Sequence, residues 1–293
     1  MHYKGEIKME ANSGSLYKYK KDIFKVALNV FFIILSILML LPFYWMVITA
    51  FKPDDQLLIK AFSQLFPKRL TIKPFIDAWI GVDFLRLYIN SLIIGLVSTV
   101  SAIFISSLAG YSFAKYKFKL SNFFFILILA TMMIPFQVIM IPLYLLIVKL
   151  GWQNTYQAIF FPQLASGFGV FLMRQFIEAI PNDLLDAARI EGCSEFKIYW
   201  KIVMPLIKPV TATLGLFTFM WSWDNFLWPL IVIESEEMRT IPLGIAMVTQ
   251  MAGARVQQNQ LMAISIIGMI PVLIVFLLLQ KYFVKGIVMS GFK

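Results

Sequence analysis

The chain has 293 residues, 60% hydrophobic and 14% charged, with a mean hydropathy of +0.79. A soluble domain is about one quarter charged, so this balance excludes an ordinary soluble enzyme and indicates a polytopic membrane protein. The net charge of +10 is scattered along the flanks of apolar stretches, which suits anionic lipid and not nucleic acid.

Residues 1–25 carry six lysines and read as a cytoplasmic N-terminal segment, and residues 26–293 as one membrane domain without internal repeat or linker. Uncharged runs predict spans at Val26–Phe51, Leu87–Ala114, Leu120–Val148, Leu150–Met173 and Val256–Gln280. Each can cross roughly 30 Å of hydrocarbon at about 1.5 Å per residue. A further span, Pro209–Ile233, is interrupted by Asp224, and Pro162, Gly167 and Gly169 dilute the fourth. The expected fold is therefore an all-α membrane protein with six transmembrane helices.

The first span exceeds a signal-peptide core of about 7–15 residues, and no small-x-small site follows it, so it is expected to be a retained anchor. With the N-terminus inside, cytoplasmic segments hold 17 of the 26 Lys and Arg. That bias predicts both termini on the cytoplasmic side of the membrane. The single cysteine, Cys193, allows no internal disulfide, and the single histidine is His2. Metal clusters and histidine-based triads are excluded on that count.

Residues 181–205, between the fourth and fifth spans, are polar and break at one glycine. Pro181 stands where a helix can begin, and Asn182 or Asp183 can cap its free N–H groups. Leu184, Leu185, Ala188 and Cys193 give a thin apolar edge. Gly192 can take the left-handed conformation that ends a helix. Ser194 can cap a second helix with Phe196, Tyr199, Trp200 and Val203 on one side, closed by Pro205. Such a helix pair suits either insertion into a partner's groove or an amphipathic position on the bilayer surface.

The residues Asp186-Ala187-Ala188, Gly192 and Ile202-Val203-Met204-Pro205 resemble the "EAA" loop of ABC-importer permease subunits: Glu-Ala-Ala, three residues to Gly, then Ile-x-Leu-Pro. Asp186 takes the place of the usual Glu, Glu191 of the usual Asp and Met204 of the usual Leu. Segments 90–115, "MIPFQVIMIPLY" (133–144), "WSWDNFLWPLIV" (221–232) and "QKYFVKG" (280–286) are similar to the carbohydrate-uptake branch, specifically to the smaller permease subunit of maltose-type transporters. The resemblance implies a cytoplasmic coupling helix between helices 4 and 5, with Asp186, Ala187, Ala188, Glu191, Gly192 and Pro205 engaging the motor. It also implies a second homologous permease subunit, two ATPase subunits that bind ATP and Mg, and an extracytoplasmic substrate-binding protein. The chain itself contains no Gly-Lys pair, hence no P-loop, and is expected to bind no cofactor and hydrolyse no ATP.

Asp224 lies roughly 22 Å along a helix begun at Pro209, well inside the bilayer. Trp221, Trp223, Asn225 and Trp228 beside it offer ring faces and amides suited to sugar. In the other reading, the helix ends early and Asp224 sits near an aromatic belt at the outer interface. Gln137, between Pro135 and Pro142, either lines the same path or satisfies backbone freed by proline. The outer loop from Lys52 to Arg86, with Trp79, is either a dock for the binding protein or a connector. The expected function is the membrane subunit of an ATP-driven importer of oligosaccharides or related sugars. The alternatives are a secondary transporter using Asp224 as its ion-linked carboxylate, and an ABC permease for a non-sugar solute.

Overall fold

The structure is a computed structural model. It describes residues 3–54, 67, 69–252 and 257–290, with side chains described over 22–54, 67, 69–250 and 257–280. Residues 55–66 and 68 of the outer loop and the side chains of 281–286 in the tail motif lie outside the described residues. Among the described residues there are helices and no strand.

Residues 1–76 with 257–263 form one compact unit. Its main element is α1 (Tyr3–Ala50), which carries Pro42 and runs unbroken through the position where the cytoplasmic segment was expected to give way to the first span. Most apolar side chains of α1 from Ile23 to Val47 are exposed, as lipid-facing residues are. Below it, the Asn259 amide donates to the Lys52 carbonyl at 2.8 Å and to Asp54 at 2.9 Å. The Lys52 ammonium rests 4.8 Å from the Trp45 ring centre.

Residues 77–256 with 264–293 form the second unit. The helix α2 (Lys73–Gly81) leads into it, and α3 (Phe84–Lys115) is its axis. Asp83 caps α3 by accepting the Arg86 N–H at 3.2 Å. Gly95, Ser98, Ala102, Ser106, Ser107 and Gly110 are buried on α3 and form a strip of small residues. Such strips let membrane helices approach closely where lipid supplies no hydrophobic force between them. Along it pack α7 (Gly167–Glu178) and α11 (Lys208–Trp223). A Cβ added to Gly110 would lie 2.7 Å from the Met173 Cβ and 2.8 Å from the Arg174 nitrogen, so the close approach requires glycine there.

Three of the expected spans are not continuous helices. Leu120–Val148 is divided into α4 (Ser121–Thr131) and α5 (Phe136–Lys149), bent by 96°. Pro135 lacks an N–H and steers Ile134 away from the helical region, so the helix cannot run through. Leu150–Met173 becomes a turn, a short α6 (Tyr156–Phe160), a 3-10 turn at Phe161–Gln163 and the first half of α7. Gly151 at φ 67° and Asn154 at φ 55° open that stretch, and neither fits a helix. Pro209–Ile233 splits where Asp224 caps α11, before a short α12 (Leu227–Val232). The helix α13 (Ile241–Ala252) was not anticipated, and its 12 residues are too short to cross. The last helix, α14 (Gln258–Ser290), covers the predicted sixth span.

Among the described residues, three continuous helical stretches are thus long and apolar enough to span: Asp22–Ala50, Phe84–Lys115 and Gln258–Gln280. The α4–α5 pair is a bent candidate, as is the pair of Glu195–Leu206 with α11, which bends by 80°. A buried amide ties down the loops of the opposite end. Asn90 donates to the carbonyls of Glu237 and Arg239, each at 2.8 Å, and accepts from the Tyr156 hydroxyl at 2.7 Å.

Candidate functional site

The polar stretch after α7 folds as two helices with a sharp bend. The first, α8 (Asn182–Ile190), begins after Pro181 with no side-chain cap, so neither Asn182 nor Asp183 caps it as expected. Asn182 is engaged elsewhere, accepting from the Lys115 ammonium at 3.0 Å. Gly192 takes φ 78°. Its N–H reaches the Arg189 carbonyl at 3.0 Å and the Cys193 N–H reaches that of Ala188 at 3.0 Å, the pair of closing bonds a left-handed glycine allows. Ser194 then accepts from the Lys197 N–H and starts α9 (Glu195–Ile198), as its sequence position predicts. A π-helical turn (Tyr199–Val203) and α10 (Met204–Leu206) continue the chain to α11. Pro205 lies inside α10, and the bend falls at Ile207.

The inner face of this hairpin belongs to the same apolar core as the helices. Leu185, Ala188, Ile198, Tyr199 and Val203 are buried with Met173 and Ile177 of α7 and Leu214 of α11. The outer face is bare. Leu184, Asp186, Ala187, Glu191 and Gly192 are exposed, and Ile190 is 88% exposed at the tip. Ile190 thus stands clear of the core, between the exposed side chains of Asp186, Ala187 and Glu191. Of the four residues expected on one side of the second helix, Tyr199 and Val203 are buried and Phe196 and Trp200 are exposed, while Ile198 joins the core.

Three of the hairpin's charges are paired with one another. Arg189 Nε donates to Glu195 Oε1 at 2.7 Å and Arg189 Nη1 to Asp186 Oδ1 at 2.6 Å. The Glu195 carboxyl is held down to about 2, chiefly by the Arg189 guanidinium and then by the Tyr116 hydroxyl. The same carboxylate raises the pKa of Arg189.

Two of the cavities among the described residues lie along α11 and the turn that follows it. One, of about 350 Å³, is lined by Phe136, Pro162, Gln163, Ala165, Ser166, Thr218, Trp221, Asn225 and Trp228, none of them charged. Trp221 is 56% exposed, stacked on Phe217 at 5.9 Å and edge-on to Phe168 at 5.8 Å. The Thr218 hydroxyl is buried without a partner. The other cavity, of about 550 Å³, is mainly apolar, lined by residues including Phe226, Ile241, Ile245 and Met269, and its only charge is Asp224.

Residues 102–289, which hold the hairpin, match the model of the family described as binding-protein-dependent transport system inner membrane component. The chain belongs to that family. It is 37% identical to the arabinooligosaccharides transport system permease protein AraQ of Bacillus subtilis, over 93% of this chain and 97% of that one. It is 33% identical to the sn-glycerol-3-phosphate transport system permease protein UgpE of Yersinia pestis, over 89% and 95% of the two chains. A bacterial ABC transporter involved in the import of the acidic polysaccharide alginate has the same fold. That crystal structure aligns with a TM-score of 0.77 at 24% identity, covering 89% of this chain and 96% of its counterpart.

The chain is thus an inner-membrane, multi-pass transport component, and the resemblance read from its loop is borne out. Within this permease the predicted residues separate. Trp221 and Asn225 share the uncharged cavity, and Asp224 lies in the other. Trp228 is fully buried, and its indole N–H donates to the Ala158 carbonyl at 2.8 Å. Trp223 is buried too, stacked on Phe219 and bonded to the Gly268 carbonyl at 3.3 Å. Gln137 is exposed on α5 and lines neither cavity. Gln163, Ser166 and Thr218 were missed. A buried hydroxyl in an apolar helix gives no sequence signal of whether it faces a cavity or a neighbour.

Proposed function

We propose that this permease carries oligosaccharides or related neutral sugars inward, driven by separate ATPase subunits that dock on the hairpin at residues 181–205. The observation that carries the reading is the hairpin's division of labour: its inner face is built into the span core while its outer face, from Leu184 to Gly192, is bare. An element fixed on one side and open on the other can transmit a push. The small side chain of Ala187 lets a partner's backbone come close, and Asp186 and Glu191 meet basic or amide groups around it.

The arrangement in the membrane completes this reading. Six crossings put both termini and the hairpin in the cytoplasm, in line with the excess of Lys and Arg there. The fourth crossing is irregular, made by α6, the 3-10 turn and α7 together, which a bilayer tolerates where the backbone is covered by protein. A second, homologous permease chain pairs with this one, and a substrate-binding protein delivers ligand from outside. ATP and Mg belong to the ATPases, and this chain supplies no group for hydrolysis.

The uncharged cavity is where this subunit faces the sugar. Trp221 offers a ring face to the apolar side of a pyranose, and Gln163, Thr218 and Asn225 offer donors and acceptors for hydroxyls. The name of AraQ supports oligosaccharides while that of UgpE carries a phosphorylated polyol, and the lack of charge in the lining favours a neutral glycan over a phosphate or uronate.

The test is reconstitution. The permease co-purified with its partners is placed in liposomes, and labelled arabinooligosaccharide uptake is followed with ATP and the binding protein. Uptake that requires ATP is the expected result. Uptake that follows a proton gradient without ATP refutes the reading and favours Asp224 as an ion-linked carboxylate.

A further inference from the structure

The hairpin is joined to α3 by directional bonds as well as by apolar packing. Ser107, Tyr111 and Lys115 recur every four residues, so they lie on one face of α3 over successive turns. Each takes hold of a different part of the hairpin. Ser107 pairs with the Tyr199 hydroxyl at 2.6 Å, and Tyr111 donates to Glu195 Oε2 at 3.0 Å. Lys115 donates to the carbonyls of Ile180 and Glu178 and to Asn182, at the start of α8.

Glu195 is the junction of these contacts. Its Oε1 accepts from Arg189 Nε, and its Oε2 accepts from Arg189 Nη2 at 3.3 Å, from Tyr111 and from Tyr116 just past the end of α3. Arg189 in turn holds Asp186. One unbroken chain of bonds therefore leads from Asp186, on the bare face, through Arg189 and Glu195 to the end of α3. Without Glu195, no side-chain bond would join α8 directly to α9, and across the bend the two would be tied by the backbone around Gly192 and by apolar contacts, which do not fix direction. A partly exposed ion pair contributes little stability by itself. A forked guanidinium on a carboxylate does fix orientation.

We propose that Glu195 is a positioning residue that locks the hairpin to the cytoplasmic end of α3, so that force applied at the docking face moves this span instead of flexing the Gly192 bend. The inference rests on the ATPase-coupling reading above. It adds a specific route, through α3, and a specific residue outside the loop's motif positions.

The experiment compares sugar moved per ATP hydrolysed in the reconstituted complex, using the wild type, Glu195→Ala, Glu195→Gln and the double variant Tyr111→Phe/Tyr116→Phe. Assembly with the ATPase is checked for each by co-purification. Expected is a loss of about tenfold in the ratio for Glu195→Ala, with Glu195→Gln in between and the tyrosine variant reduced as well. A residue needed only for folding would lower the amount of complex and leave the ratio as it was. A wild-type ratio in Glu195→Ala overturns the inference, and so does a wild-type ratio in the tyrosine variant, since the route to α3 would then be unused. Should Glu195→Ala fail to assemble, the tyrosine variant decides, because it removes only two hydroxyls. If the wild-type complex itself shows no ATP-linked uptake, the coupling reading fails and this inference with it. If the wild type couples and the variants match it, only the lock is wrong.

Discussion

Replacing Gly192 tests the hairpin's geometry with little interference from packing. At φ 78° the residue is left-handed, and a Cβ built there meets nothing within 4 Å. The whole effect of a substitution therefore comes from the backbone. An L-residue in this region costs about 1–2 kcal/mol, most for a β-branched side chain and least for asparagine, whose amide bonds locally. A cost of that size changes the ratio of closed to open bend by roughly 5–30-fold.

Gly192→Val is accordingly expected to lower ATP-driven uptake by roughly 5–30-fold, by loosening the bonds from Gly192 and Cys193 back to Arg189 and Ala188. Gly192→Asn should stay within about twofold of the wild type. The assay is initial uptake in proteoliposomes, normalised to assembled complex. Normal transport by the valine variant would show that the bend is not under selection for its angle. Equal damage by both substitutions would show that the site senses bulk, for instance against a docked partner, and not φ.

Other substitutions probe the remaining arguments. Gly110→Ala drives a methyl into the Met173 Cβ and the Arg174 backbone, at 2.7 and 2.8 Å, and backbone cannot step aside. It should cost about 1–3 kcal/mol and lower the thermal midpoint of the detergent-solubilised chain by about 2–4 °C per kcal/mol. Trp221→Ala should weaken sugar uptake while leaving the folded amount unchanged, because that ring is largely exposed. Trp228→Ala should instead destabilise the fold by about 3–5 kcal/mol, seen as loss of monodisperse protein on size exclusion, because that ring is buried and its N–H is bonded.

Acid gives a further check. Glu195 is held at about 2 against an ordinary 4.5, so its contribution is complete above pH 4.5 and is lost as pH falls through about 2. Pepsin cleavage within 186–199, read as the ratio of Glu195→Gln to wild type so that the protease's own titration cancels, should be well above one near pH 4.5 and fall towards one near pH 2. A ratio that stays constant would refute the clamp.

What the sequence disclosed divides by the kind of physics involved. The long uncharged runs around α3 and α14 were legible because an apolar helix of that length has one common use. The bend at Gly192 and the cap at Ser194 were legible because each depends on a local backbone rule. The break between α4 and α5 was not, although Pro135 stood in plain view, and the irregular run from Leu150 to Gly167 showed only as a dilution of that span by Pro162, Gly167 and Gly169. Hydropathy registers how oily a stretch is, and it is indifferent to whether the backbone stays straight. An early end to α11 was one of the two readings open for that stretch, but the burial of Trp223 and Trp228 escaped, since a tryptophan beside an asparagine reads alike whether it faces sugar or core.

The polar lock was least legible of all. Tyr111 and Glu195 are 84 residues apart, and nothing near either in the chain signals the other. Yet the lock explains a feature that the motif leaves unexplained. A hairpin with a left-handed glycine at its centre is a hinge by construction, and a hinge absorbs motion. Bonding Glu195 at once to Arg189 on the near side of the bend and to tyrosines of α3 on the far side closes a triangle across it. A triangulated hinge can keep its angle under load, so a glycine that shapes the bend need not weaken the lever.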